Sequence, residues 1–173
     1  MAGPFPASAV PGIADGIVNA LTLASSAVLH GSGLSVSLAL RVAAVALVTS
    51  VFTVFVAEYG QLRAELARAE RELSFSESGR LAAGRLGRQV AREAAVASAV
   101  ASVASFAGAL IPLAVGAATA PYSWSALVIS VGALGALGGA LATAVGGQRR
   151  RWIIAMMVMG VAVAAVGSAL DIT

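Results

Sequence analysis

The chain alternates between long apolar stretches and short polar breaks, and the apolar stretches have the length of membrane-spanning helices. A helix needs about 20 predominantly apolar residues to cross the hydrocarbon core of a bilayer. Five stretches reach or approach that length: residues 12–29, 34–59, 94–117, 123–146 and 152–170. The pattern predicts an all-α, polytopic membrane protein, in which residues 1–173 form a single transmembrane domain with five helices.

The longest polar stretch, residues 61–92, separates the first two spans from the last three. Leu62, Leu66, Ala69 and Leu73 recur at helical spacing directly after the second span. This spacing predicts that the second span continues as a helix beyond the membrane surface. We therefore expect the stretch to be an amphipathic helical linker on the cytoplasmic side.

A second, short helix is predicted inside this linker. Ser74 and Glu77 have the spacing of a capping box, which marks the start of a helix. A basic face follows, made of Arg85, Arg88 and Arg92. Basic amphipathic helices beside a membrane usually bind anionic lipid headgroups, so we expect residues 80–92 to lie against them. A plain positively charged loop accounts for the same arginines.

The composition agrees with a membrane protein. The chain is 59% hydrophobic and 11% charged, whereas about a quarter of the residues in a soluble domain are charged. It contains no cysteine, which excludes disulfides and thiolate metal sites. All basic residues are arginines, and the net charge is +3. These arginines lie in the loops beside apolar spans, so the positive-inside rule explains them and no nucleic-acid partner is expected.

The arginines also predict the orientation of the chain. They cluster between spans two and three, and again at Arg149–Arg151 between spans four and five. With five spans these two loops share one side, which the positive-inside rule makes cytoplasmic. We expect a multi-pass protein of the cell membrane with a cytoplasmic amino terminus and an external carboxyl terminus. Arg41 breaks the pattern, and near the outer end of span two it can reach the interface with its long side chain.

The first span carries a polar stripe that is costly in lipid. Asp15, Asn19, Thr22 and Ser26 follow one another at i, i+4, i+7 and i+11, which places them on one helical face. Acidic residues inside spans usually face a bundle interior or a water-filled path and mark routes for ions or protons. We interpret Asp15 as the acid of such a route and the other three as lining of a transport path. The alternative is that Asp15 is the helix N-cap, close to Pro11.

The second span has a similar polar group toward its cytoplasmic end. Glu58 is the acidic residue there, and Ser50 and Thr53 lie on a neighbouring face. We interpret Glu58 as a second acid with a role in transport, and Ser50 and Thr53 as further path-lining residues. A carboxylate that is simply solvated at the membrane surface is the alternative for Glu58.

Small residues predict close helix packing. Gly135 and Gly139 in span four have the GxxxG spacing, and Gly160, Ala164 and Gly167 place small residues along span five. Such residues let the backbones of two helices approach closely. They predict a tight bundle and a dimer.

Several motifs, in order, resemble the vacuolar iron transporter family. The segment VPGIADGIVNALTLA (residues 10–24) is similar to the family's first-span motif, and FVAEYGQLRAE (residues 55–65) to its second-span exit. SFAGALIPLAVG (residues 105–116) is similar to the third-span motif. A small-residue fourth span, a basic turn and a closing fifth span complete a resemblance that covers nearly the whole chain.

The resemblance implies a five-span homodimer that exchanges divalent iron, or manganese, for protons along a path between the protomers. Asp15 matches the family's first-span path aspartate, and Glu58 matches its second-span acid, so the resemblance implies that both are metal ligands. Fe²⁺ or Mn²⁺ is then the transported ion, and no tightly bound cofactor is expected. The lipid bilayer and a second copy of the chain are the expected partners.

The chain departs from the family in two places. Val54 stands where the family has a methionine, one turn before the acid. The linker is short, contains no methionine, and has acidic residues that alternate with arginines. Glu65 and Glu72 are candidate ligands for metal entry from the cytoplasm, yet the linker lacks the clustered oxygen ligands of a site for several ions. We expect the family's metal-collecting domain to be absent or vestigial.

These observations leave four hypotheses. A proton-coupled exporter of iron or manganese is favoured. A relative that kept the fold but lost transport, and acts as a structural or partner-binding membrane subunit, comes second. The third is a small proton-linked transporter for another substrate. A membrane enzyme is least favoured, because the single histidine, His30, lies in a turn and no nucleophile–base pair or metal motif accompanies it.

Overall fold

The computed structural model describes residues 9–29, 34–72, 84–119 and 124–169, and these residues form five α-helices. The helices are α1 (Ala9–Leu29), α2 (Val36–Glu72), α3 (Arg85–Ala118), α4 (Trp124–Val145) and α5 (Arg149–Ala169). No strand occurs in the described part of the chain. The prediction of an all-α membrane-type fold is therefore confirmed. The capping box at Ser74 and the turn that holds His30 lie outside the described residues.

Four of the helices, α2 to α5, are long and apolar enough to cross a membrane. The helix that matches the first predicted span, α1, is 21 residues long but is not among these four. Its apolar sequence is interrupted by Pro11, Asp15 and Asn19. It is also the central helix, because it contacts each of the other four. Neighbouring helices cover Ser25 and Ser26 of α1, whereas Asp15 stays exposed in the single chain.

Helices α2 and α3 are longer than a membrane is thick. They contain 37 and 34 residues, which corresponds to about 55 and 51 Å at 1.5 Å per residue, against a hydrocarbon core of about 30 Å.

In α2 the apolar run ends in an aromatic pair, Phe55 and Tyr59, whose ring centroids are 5.7 Å apart. Arg63 lies over the Tyr59 ring at 5.8 Å. Aromatic residues of this kind are enriched where a helix leaves the membrane.

The basic residues of the linker do not form a separate helix. Arg85, Arg88 and Arg92 belong to the first turns of α3, which continues without interruption to Ala118. Its N-cap is Gly84, whose backbone is extended, so the helix begins there. The prediction of a separate short helix is therefore wrong for residues 85–92, and residues 80–83 lie outside the described part of the chain. The apolar spacing of Val90 and Ala94, both buried, lets the basic segment and the third span share one helix.

The basic turn between spans four and five is also shorter than expected. Arg149, Arg150 and Arg151 form the first turn of α5, and only residues 146–148 connect it to α4. Helix α4 ends in a Schellman motif, because Gly146 has a φ of 69° and the Gly147 N–H donates to the Ala142 carbonyl at 2.9 Å. A glycine is suited to this left-handed conformation.

Close contacts give the relative directions of the helices. In α1 and α3, Gly12 lies beside Ala101 and Gly16 beside Ser105, so these two helices run parallel. Helix α4 is antiparallel to α5, since Gly135 lies beside Met157 and Gly147 beside Trp152. Helix α5 is parallel to α1, since Gly160 lies near Leu21 and Gly167 beside Ser25. Helix α2 is antiparallel to α1, since the cavity beside Asp15 is lined by Thr53 and the one beside Asn19 by Arg41. Helices α1, α3 and α5 therefore point one way and α2 and α4 the other. Every described arginine except Arg41 consequently lies at the same end of the bundle.

The tightest packing is between α1 and α3. A Cβ atom added to Gly12 would lie 2.0 Å from the Ala101 carbonyl oxygen, and one added to Gly16 would lie 2.0 Å from that of Ser105. Gly12 and Gly16 form a GxxxG pair, and on the opposite side Gly108 faces the Ile13 backbone. Backbone contact at this distance is available only to glycine. The packing fixes the position of Asp15 next to α3.

The GxxxG pair of α4 packs within the chain. Gly135 lies against Met157 of α5, and Gly139 against Ile153 of the same helix. Gly167 of α5 similarly faces Thr22 and Ser25 of α1. These small residues therefore stabilise the bundle of one chain, as expected. They do not supply the free helix face on which the prediction of a dimer partly rested.

Candidate functional site

Asp15 lies well inside α1. The helix begins at Ala9, so Asp15 is in its second turn, and Pro11 is in the first turn, where a proline is tolerated. A helix N-cap precedes the first helical residue. The alternative interpretation of Asp15 as an N-cap is therefore wrong, because the helix extends further toward the amino terminus than the sequence indicated.

A small cavity lies between Asp15 and α2, with a volume of about 120 Å³. We call it the Asp15 cavity; it is lined by Pro11, Asp15, Thr49, Ser50, Thr53 and Val54. The lining residues include one acid and three hydroxyl residues, and the space is large enough for an ion with a few waters. The Thr49 hydroxyl donates to the Val45 carbonyl of its own helix at 3.0 Å. Asp15 is exposed in the single chain, whereas Ser50 is buried.

A buried hydroxyl from α3 holds the Asp15 carboxylate. Ser105 is completely buried, and its hydroxyl is 3.0 Å from Oδ2 of Asp15, as a donor to the carboxylate. The same hydroxyl is 3.3 Å from the Ala46 carbonyl of α2. Ser105 therefore lies where three helices meet. The Gly16 contact places it there, because the Ser105 backbone is packed directly on α1.

A second cavity follows in the same groove between α1 and α2, with a volume of about 270 Å³. Asn19 and Thr22 line it together with Arg41. The Thr22 hydroxyl donates to the Val18 carbonyl at 2.9 Å, so it presents its oxygen lone pairs rather than its proton. The two cavities together follow the polar stripe along α1 from Asp15 to Thr22.

The structure brings some of the predicted site residues together and leaves others apart. Asp15, Ser50 and Thr53 share one cavity, and Asn19 and Thr22 the next. Ser26 continues the stripe but is completely buried and lines neither cavity. Packing of α1 within the bundle covers it.

The other predicted acidic residues lie further along α2. Glu58 is partly buried, one turn beyond Val54, and does not line the Asp15 cavity. Glu65 is exposed on the part of α2 beyond the apolar run, where it accepts a hydrogen bond from Gln61 at 3.4 Å. Glu72 is the last residue of α2, and its side chain lies outside the described part. A single chain therefore does not join these groups to Asp15.

Sequence reasoning missed three contributors to the site: Ser105, Thr49 and the Gly12–Gly16 pair. Ser105 belongs to a serine stripe on α3, yet nothing in the spacing of that stripe indicates which serine meets Asp15. The signal that would have helped is the GxxxG pair that brackets Asp15, because it predicts a close helix neighbour at that level. Which helix it is follows only from the fold.

The donor set of the Asp15 cavity consists entirely of oxygen. Carboxylate and hydroxyl oxygens are ligands for hard divalent cations such as Mg²⁺ and Mn²⁺. Within the described residues no three histidine, cysteine, aspartate or glutamate side chains come together as a metal-ligand group. One chain thus offers a single carboxylate with neutral oxygens, which is a weak cation site by itself.

The chain was compared with protein-family models, with characterised proteins and with solved structures, and none of them matches it. The likeness to the vacuolar iron transporter family thus consists of motifs in the sequence alone.

Proposed function

We propose that the protein is a membrane transporter for a divalent metal ion, iron or manganese, that exports the ion from the cytoplasm in exchange for protons. The observation that carries this proposal is the Asp15 cavity, which is lined by an acid on the central helix and by three hydroxyl residues of α2. An ionisable residue at membrane depth is costly and is usually retained for transport of ions or protons.

Exchange of a metal ion for protons has a simple physical basis at such a carboxylate. The anion binds a divalent cation, and the protonated acid does not, so metal binding and proton binding compete. Substrate sites of secondary transporters commonly lie near the middle of the membrane, between helices. The cavities beside Asp15 and Asn19 lie along one groove, and in this proposal the ion moves along that groove.

A homodimer would complete the site. Asp15 is exposed in the single chain although α1 is the central helix, and lipid is a poor neighbour for a carboxylate. A second copy covering this groove would shield the two Asp15 residues and, with Glu58 of both copies, bring four carboxylates to one path. The exposure of Asp15 and the sequence motifs support this dimer. The α4 glycines do not support it, because they pack within the chain.

The arginine-rich end of the bundle is, in this proposal, cytoplasmic. Every described arginine except Arg41 lies there, which agrees with the positive-inside rule. The proposal then places five spans in the cell membrane with an internal amino terminus and an external carboxyl terminus.

Arg88 and Arg92 of α3 line a surface groove together with Val96, a combination suited to an anionic headgroup with its acyl chain.

The second candidate is a membrane subunit without transport activity. It is favoured by the single carboxylate of the Asp15 cavity and by Val54, which lines the cavity where the family has a methionine. A structural subunit needs the bundle and its glycine contacts but not the charge of Asp15. The two candidates therefore differ in what happens when that charge is removed.

The decisive experiment compares the Asp15→Asn variant with the wild type in proteoliposomes. Uptake of iron, manganese and cobalt is measured with and without a pH gradient. We expect flux that depends on the gradient for the wild type and its loss for Asp15→Asn, because the neutral amide cannot exchange a proton for a cation. Glu93→Gln is the matched control, since Glu93 is an exposed acid on α3 whose partner is Gln89. Equal flux for Asp15→Asn and wild type would exclude Asp15 as the exchange site. Absence of flux in the wild type would favour the second candidate, a membrane subunit without transport activity.

A further inference from the structure

Ser105 stands out among the buried polar residues, because its hydroxyl contacts another helix at the candidate site. The other buried serine hydroxyls of α3 donate within that helix: Ser98 to the Ala95 carbonyl at 2.9 Å and Ser102 to the Ser98 carbonyl. Ser105 instead donates to Oδ2 of Asp15 on α1, at a distance of 3.0 Å. A buried hydroxyl directed at a carboxylate fixes the orientation of that carboxylate.

The contact leaves the two oxygens of Asp15 in different situations. Oδ2 is held by Ser105 against α3, whereas no hydrogen bond to Oδ1 is made within the described residues. Oδ1 therefore keeps all of its lone pairs for an ion in the Asp15 cavity, whereas Ser105 occupies one lone pair of Oδ2. The backbone fixes this arrangement further, because Gly16 packs directly on the Ser105 carbonyl and prevents α3 from shifting relative to α1.

We propose that Ser105 is a positioning residue that makes Asp15 a one-oxygen ligand and thereby favours small divalent cations over large ones. The inference rests on the proposed cation transport and adds a determinant of its selectivity. Ions such as Mg²⁺ and Mn²⁺ take single carboxylate oxygens in nearly octahedral sites, whereas Ca²⁺ takes more ligands and often both oxygens of one carboxylate. A volume of about 120 Å³ with one fully available carboxylate oxygen suits the first class.

Removing the Ser105 hydroxyl should release the carboxylate without leaving a large void. In Ser105→Ala the second oxygen of Asp15 becomes fully available and the carboxylate can rotate. Loss of a hydrogen bond that orients a ligand typically lowers metal affinity by about 10–100-fold. We expect that loss for Mn²⁺, together with a smaller loss or a gain for Ca²⁺, so the ratio of the two affinities falls. If Ser105 had a purely structural role, Ser105→Ala would lower the affinities for Mn²⁺ and Ca²⁺ by the same factor.

The experiment measures Mn²⁺ and Ca²⁺ binding by titration calorimetry on the full-length protein in nanodiscs. Ser102→Ala is the matched control, because Ser102 is a buried serine one turn away that bonds only its own helix. Ser105→Cys is the second variant, since a thiol donates only weakly and should give an intermediate affinity ratio. An unchanged ratio in Ser105→Ala would overturn the proposal while leaving cation transport intact.

Infrared spectroscopy of the metal-free protein tests the contact itself. The carboxylate bands of Asp15 are isolated as the difference between wild type and Asp15→Asn, and their splitting reports unequal hydrogen bonding of the two oxygens. We expect Ser105→Ala to change this splitting and Ser102→Ala to leave it as in wild type. An unchanged splitting in Ser105→Ala would overturn the positioning role. Absence of Mn²⁺ binding in the wild type would overturn both the selectivity inference and the proposed function.

Discussion

Replacing Gly16 by alanine should separate the two helices that hold Asp15. The new Cβ atom would lie 2.0 Å from the Ser105 carbonyl oxygen, 2.8 Å from its carbonyl carbon and 2.9 Å from the Ala109 nitrogen. Ordinary van der Waals contact begins at about 3.4 Å, so the closest distance is too short by about 1.4 Å (3.4 less 2.0). All three atoms belong to the backbone, and no side-chain rotation can relieve the clash.

The expected cost follows from this geometry. Adding a methyl group to a packed interior usually costs about 1–3 kcal/mol, and a contact with backbone belongs at the upper end. We therefore expect Gly16→Ala to lower the free energy of unfolding by about 3 kcal/mol. A separation of α1 and α3 by the missing distance would also carry the 3.0 Å hydrogen bond between Ser105 and Asp15 beyond hydrogen-bonding range. Stability and the site should thus be damaged together.

The assay is unfolding of the purified protein in mild detergent by titration with a denaturing detergent, followed by circular dichroism. Two further glycines provide a graded series. At Gly108 a Cβ atom would lie 2.9 Å from the Ile13 carbonyl, and at Gly132 it would meet nothing within 4 Å. We expect a smaller loss for Gly108→Ala and a change within about 0.5 kcal/mol for Gly132→Ala. Equal stability of the Gly16→Ala and Gly132→Ala variants would refute the close packing of α1 on α3.

Three further outcomes are expected. Cysteines introduced at Ser35 and at Gln89 should be labelled from opposite sides of the membrane, because these residues lie at opposite ends of the bundle; labelling of both from one side contradicts the topology. Mass measurement in nanodiscs should give a dimer, and a monomer would mean that the Asp15 groove is covered by lipid or by another protein. Arg88→Gln combined with Arg92→Gln should reduce the enrichment of anionic lipids around the purified protein, whereas Arg63→Gln, which alters an arginine stacked on Tyr59, should reduce it less.

The spans were predictable because each depends on a local property of the chain. A run of apolar residues is readable without knowledge of its neighbours, and the observed helices α4 and α5 differ from the predicted spans by no more than three residues at either end. The continuation of α2 beyond residue 60 follows from the same local periodicity. Helix starts were less predictable. At Arg85 the helix begins earlier than the apolar run, because basic residues are compatible with a helix and only their environment differs. At Ala9 it begins before the predicted span, because Pro11 is tolerated in the first turn of a helix.

The polar stripe on α1 was also contained in the sequence, because helical spacing alone aligns Asp15, Asn19 and Thr22. What surrounds each of these residues depended on the tertiary structure. Gly16 can approach any helix that offers a small neighbour, and the fold pairs it with Ser105, about 90 residues away in sequence. The GxxxG pair of α4 has the same local signature but packs on α5 of its own chain. The GxxxG spacing indicates that another helix can approach closely, but it does not indicate which helix. The packing of the whole bundle selects that partner. In this chain the selected partner is α3, which places the Ser105 hydroxyl on one oxygen of Asp15.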